Sequence, residues 1–212
     1  MQDTIDGIIP FIILISIVLA ASRVMARFTG AKYSRALMPL APLINGTFAT
    51  DSLSHGWLSG TYGNRKIHVA SIPGVNSMSG SGNGGGSAHR YNAFEVEVQQ
   101  VVGAHDWSLA WGSHSVRQIL SRDESWKFLA DEDLLQRLQS SHIIGELETF
   151  AGAGVRGFPT VIYDARRKTL THRDNISPDI APSTGHFQKQ LNLALRLAEI
   201  SEQVNSSAAA SI

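Results

Sequence analysis

Three hydrophobic rhythms divide this chain. From Ile8 to Ser22, fifteen residues run without a charge and are apolar on every side of a helical projection. From Gly56 the period changes to two, and from Asp131 it changes again to the 3.6 of an amphipathic helix. The first stretch predicts a membrane-crossing helix. A hydrocarbon core of about 30 Å needs roughly 20 apolar residues. The run reaches that length when it extends through Phe28, so the anchor is assigned to residues 8–28, with a short tail at 1–7. Pro10 falls in the first turn, where its missing N–H costs little.

The middle of the chain predicts strands. Trp57–Tyr62 and Lys66–Ile72 alternate on either side of Gly63-Asn64, a two-residue turn that accepts positive φ. In Tyr91–Val102, Phe94, Val96 and Val98 alternate with Glu95, Glu97 and Gln99, as in a strand with one face in the core and one in water. Trp107–Trp111 is expected to pair with it across Gly103-Ala-His105. Residues 77–90 hold five glycines within positions 80–86 and predict a mobile loop. Residues 36–50, apolar but broken by Pro39, Pro42 and Gly46, predict a short helix or turn leading into the core.

The last third predicts helices at 131–139 and 142–150, a hairpin of 160–163 with 169–172, and a long helix at 183–204. In that helix Phe187, Leu191, Ala194, Leu195 and Ala198 form one stripe. Strands cluster first and helices later, so the expected fold class is α+β, with a mainly antiparallel sheet and a long C-terminal helix. The expected organisation is an anchor (8–28), a juxtamembrane connector (29–50), one domain (51–204) and a disordered tail (205–212).

Charge adds orientation. Residues 1–7 carry Asp3 and Asp6 without a cation, and residues 23–35 carry Arg23, Arg27, Lys32 and Arg35 without an acid. Cations beside a spanning helix mark its cytoplasmic side, so the domain is expected in the cytoplasm. Those four are the only ones of the 18 basic residues before residue 51, and two of the 18 acids precede it, which leaves 14 and 16 in the domain. The slightly acidic balance argues against a nucleic-acid partner. With no cysteine, thiolate metal sites and a cysteine nucleophile are excluded.

Chemistry is thin in the sequence. Gly152-Ala-Gly154-Val-Arg-Gly157 fits a dinucleotide-binding spacing, but a helix precedes it and a strand follows, which is the wrong order. It predicts a helix end and a loop. The eight histidines lack metal-ligand spacing, and neither metal nor cofactor is expected. Glu95 and Glu97 share a strand face. Trp57, Trp107, Trp111 and Trp126 predict sheet-packing aromatics. The candidates for a catalytic group are His105, Asp106 and His114, close together beside a strand, with His89 in reach of them. The expected function is a single-pass membrane protein, held in the lipid bilayer by its anchor, whose cytoplasmic, non-enzymatic domain binds a protein partner or assembles with a second copy. Two alternatives stand beside it: a membrane-tethered, hydrolase-like enzyme built from dispersed residues, and an extracytoplasmic domain on a signal anchor.

Overall fold

The computed structural model describes residues 2–51, 55–76, 90–103, 105–111, 126–129, 132–152, 160–176 and 179–209. The apolar run forms the first part of α1 (Gln2–Leu37), a 36-residue helix. By length and composition it can cross a membrane, and Leu14, Ile17, Val18 and Leu19 turn more than half of their surface outward. At 1.5 Å per residue it measures about 54 Å, longer than a bilayer core. Its C-terminal turn enters the domain, where Tyr33 and Leu37 are buried.

A 3-10 segment, Met38–Ile44, follows and buries Leu40, Ala41 and Ile44. Asn45 closes it at φ 46°, a left-handed conformation that Asn tolerates better than most side chains. Residues 29–50 thus include five side chains of the core and, in β1 (Thr47–Thr50), an edge strand.

The strands β2 (Gly56–Tyr62), β3 (Arg65–Asn76), β4 (Arg90–Gln99), β5 (Trp107–Trp111), β6 (Trp126–Leu129), β7 (Thr160–Asp164) and β8 (Thr169–Asn175) complete an eight-stranded sheet. Its order is β1-β2-β3-β4-β8-β7-β5-β6, with every neighbour antiparallel. The α+β class is as expected, and so is the β2–β3 turn, where Gly63 has φ 59°. One expected pairing is overturned. β5 does not pair with β4; the β7–β8 hairpin lies between them, so β4 pairs with β8, and β5 with β7 and β6.

The physical reason lies at the hairpin's turn. The 100–106 connection straddles it: the Val101 amide donates to the Lys168 carbonyl at 3.0 Å, and the Ala165 amide donates to Asp106 Oδ1 at 2.7 Å. The Gly103 amide donates to the Tyr163 hydroxyl at 2.7 Å, and that hydroxyl donates to the Val101 carbonyl at 3.1 Å. These bonds satisfy a connection that would otherwise cross two strands with its polar groups unmet.

Helices α2 (Glu132–Ser140), α3 (Ile143–Gly152) and α4 (Thr184–Ala209) contribute Leu134, Leu138, Ile143, Leu147, Phe187, Leu191, Leu197 and Ala198 to one core with Leu58, Val69, Phe94, Val96, Val98, Leu109, Val161 and Leu170. Ser183 caps α4 by accepting from the His186 amide at 3.3 Å. α4 continues to Ala209, five residues past the expected end, so the 205–209 part of the expected tail is helical. Near its C-terminal part, Glu202 is held by both guanidinium nitrogens of Arg65, at 2.9 and 2.6 Å, and accepts from the Val102 amide at 3.2 Å. Arg65 holds the Glu202 carboxyl below its ordinary pKa, against the opposing effect of burial.

Gly60 marks the closest approach of two segments. A Cβ there would lie 2.3 Å from the Ile44 carbonyl oxygen and 2.7 Å from Gly46 Cα, both backbone. Gly60→Ala is therefore expected to force the 3-10 segment off β2 and to destabilise the domain by about 2 kcal/mol. A thermal melt checks this, and an unchanged Tm would show that the two segments separate without cost.

Candidate functional site

Strand alternation sends one set of side chains into the core and the other to a face that no described helix covers. Register aligns the second set in rows. One row runs Ser59, His68, Glu97, Thr171, Ile162, Ser108; the next runs Trp57, Ala70, Glu95, Arg173, Thr160, Ala110.

Opposite charges meet on this face, Arg173 and Glu95 as directly facing cross-strand positions and Arg167 from the β7–β8 turn. Arg173 Nε donates to Glu95 at 2.5 Å, and Arg167 reaches Glu97 at 3.5 Å. Gln99 also donates to Glu97, at 2.9 Å. The shared face of Glu95 and Glu97, read from alternation, is thus real, and each carboxylate meets a cation. His68 Nδ1 lies 3.2 Å from Ser59 Oγ, and its ring tilts against Trp57 at 6.2 Å. Burial lowers the His68 pKa, with Glu97 and Glu95 opposing, which favours the neutral ring. These rows are mostly polar and charge-paired, with Trp57 and Ile162 as their large apolar side chains.

A second polar group lies on the covered face, between α4 and the sheet. His172 and Asp174 alternate inward on β8 and are buried. From α4, His186 Nε2 lies 2.7 Å from Asp174 Oδ2. One turn later, Gln190 Nε2 donates to the carbonyls of Phe94 and His172 at 3.2 and 3.1 Å. Burial pushes His172 down to about 4 against the raising effect of Asp174. Ser71 faces the same side, but the register puts Phe94 between it and Asp174, and the Phe94 ring packs edge-on against Phe187 at 6.0 Å. Serine, histidine and carboxylate are therefore near one another without forming a nucleophile with its base. What this group does is stitch the N-terminal half of α4 to the sheet.

Of the candidates named from the sequence, Asp106 accepts the Ala165 amide and so serves the β7–β8 turn. His105 is exposed beside it. His114 and His89 lie outside the described residues, as do residues 77–89 of the glycine tract and 153–157 of the glycine motif. Gly152, where that motif begins, ends α3. Trp107 is a core residue, donating to Ser201 Oγ at 3.1 Å and tilted against Tyr163 at 6.2 Å. Trp111 and Trp126 are register partners in β5 and β6.

Sequence reasoning missed His172, Asp174, His186, Gln190 and Tyr163. Alternation in Thr169–Asn175 could have aligned Leu170, His172 and Asp174 on one face. Nothing local could have assigned that face to the core.

With this geometry in view, the chain was compared with known proteins: no family model, no curated protein and no solved structure matches it.

Proposed function

We propose that the chain is a single-pass membrane protein whose non-enzymatic domain binds or assembles with another protein through the open face of its sheet. The observation that carries this reading is the continuity of α1. One helix runs from the apolar, outward-facing stretch at Leu14–Leu19 to Tyr33 and Leu37 in the domain core. A domain joined in this way is held close to the bilayer with little freedom to turn, a useful property for a module that must offer one face to a neighbour. The rows around His68, Glu97 and Thr171, which no described helix covers, are the face on offer. The cations at 23–35 favour a cytoplasmic domain.

Alkaline extraction tests the anchor, and the chain is expected to stay with the membrane pellet. A reporter that functions only in the cytoplasm, fused after Ile212, is expected to be active; activity of an export-dependent reporter there would reverse the orientation. For the binding face, a photoactivatable side chain is placed at Ser59, at Ile162 and, as a control on the exposed side of α4, at Gln203. One discrete adduct is expected from Ser59 and Ile162 and none from Gln203. Adducts of equal yield from all three positions, or none from the sheet, would sink the assignment.

A further inference from the structure

We infer that the junction of α1 with the domain is a binding groove for the phosphate headgroup of an anionic membrane lipid. This rests on the anchoring proposed above.

Phe28, Ala31, Lys32, Arg35 and Ala36 line one side of the groove. Their spacing places them on one stripe of the helix. The opposite wall is Asp179, Ile180 and Ala181, in the segment between β8 and α4. That wall is fixed. The Asp179 amide donates to the Ile176 carbonyl at 2.9 Å, and Asn92 Nδ2 donates to the Asp179 carbonyl at 2.9 Å. Ile176 is tied back in turn by its amide to the Asn92 carbonyl at 3.0 Å.

Depth and charge select the occupant. At 1.5 Å per residue, Lys32 and Arg35 lie about 6 and about 10 Å beyond Phe28, the end of the apolar stretch, which is the headgroup layer. Both are exposed, and among the described residues neither makes an ion pair. Arg27 and Arg23, about one and a half and two and a half turns from Lys32 toward the membrane, add to the field. Among the described residues that line the groove Asp179 is the one acid, against Lys32 and Arg35, so their net charge is positive. The apolar half, Phe28, Ala31 and Ile180, suits the glycerol and first acyl carbons of a lipid, whereas a free phosphate would leave it unused. Asp179 opposes part of the positive charge, so it weakens the hold on an anionic headgroup without reversing the sign set by Lys32 and Arg35.

Native mass spectrometry of the full chain in neutral detergent, titrated with phosphatidylglycerol or phosphatidylcholine, tests this. Phosphatidylglycerol is expected to bind about tenfold more tightly. The double variant Lys32→Gln/Arg35→Gln is expected to lose about that factor, since each cation beside an anionic headgroup accounts for several-fold. Asp179→Asn is expected to tighten phosphatidylglycerol binding several-fold. Equal binding of the two lipids, or a preference that survives the double variant, overturns the proposal. So does weaker binding by Asp179→Asn, because the carboxylate would then be meeting a headgroup ammonium. Full competition by millimolar inorganic phosphate would assign the groove to a free anion and also overturn it. The anchor is judged separately by alkaline extraction of the wild type. Release from the pellet rejects the anchor, whereas retention without lipid preference rejects only the groove.

Discussion

A chain that begins at Asp51 is expected to lose its cooperative thermal transition, while one that begins at Thr29 keeps it. The sequence alone suggests a domain starting at 51, because the apolar stretch before it is broken by prolines and carries no periodicity. In the fold, the removed segment holds Leu37, Leu40 and Ile44, each at most 1 % exposed, along with Tyr33 and Ala41. It also holds β1, the hydrogen-bonded neighbour of β2. Truncating one such Leu or Ile to Ala costs about 2–5 kcal/mol. Losing three together exceeds most of the roughly 5–15 kcal/mol that keeps a domain folded. A start at Ser34 is the intermediate case. It removes Tyr33, whose ring lies edge-on to His55 at 6.4 Å and whose Cβ crowds Gly56, and it is expected to fold with a lowered Tm. Within the longer chain, Leu40→Ala alone is expected to cost about 3 kcal/mol. Circular dichroism melts of the three truncations decide the boundary. A cooperative melt of the chain starting at Asp51 would mean that α1 and the 3-10 segment lie on a core that stands without them.

What the sequence made legible were the elements whose signal is local. Phe94, Val96 and Val98 alternate against Glu95, Glu97 and Gln99, and that pattern fixes which side of β4 is buried whatever its neighbours are. Gly63-Asn64 states its own turn. The stripe of Phe187, Leu191 and Ala194 states which side of α4 meets the sheet. Pairing is another matter. Alternation says which face a strand buries and is silent on which strand lies beside it, so β5, next in sequence after a short connection, looked like the partner of β4. The decision was taken by groups sixty residues away, the Tyr163 hydroxyl and the Ala165 amide, which bind that connection and hold the β7–β8 hairpin in the gap. β1 and β6 were missed because four residues are too few to show a period. The candidate site suffered in the same way. Arg173 and Arg167 meet Glu95 and Glu97 only because β8 docks on β4, and His172 enters the core only because α4 covers that face.

Acid should weaken the domain between pH 7 and pH 5, and His172→Leu should remove much of that dependence. His172 has no exposed surface, and its folded-state pKa is pushed down to about 4 by burial. The groups facing it are Asp174 on its own strand, whose charge raises that pKa, and His186 and Gln190 on α4, of which His186 lowers it. In the unfolded chain an ordinary histidine titrates near 6.5. Between those two values the unfolded state binds a proton that the folded state refuses. Stability therefore rises with pH: the contribution is complete above about 6.5 and is lost as pH falls toward 4. The difference amounts to about 2 kcal/mol by pH 5 and about 3 kcal/mol at its limit. The Glu202 carboxyl, whose folded pKa Arg65 lowers, adds a second loss. It begins only as pH drops through the ordinary carboxylate range, so the two windows separate on the pH axis. Urea unfolding of the chain that begins at Thr29, followed by Trp fluorescence at pH 7, 6 and 5, measures the first window. Leucine at 172 keeps the backbone carbonyl that Gln190 binds and offers no proton site, so the larger part of the loss should vanish, leaving the part that comes from His68, whose pKa burial also lowers. If the variant falls as steeply as the wild type, His172 is not the group that titrates, and the loss must come from elsewhere in the chain.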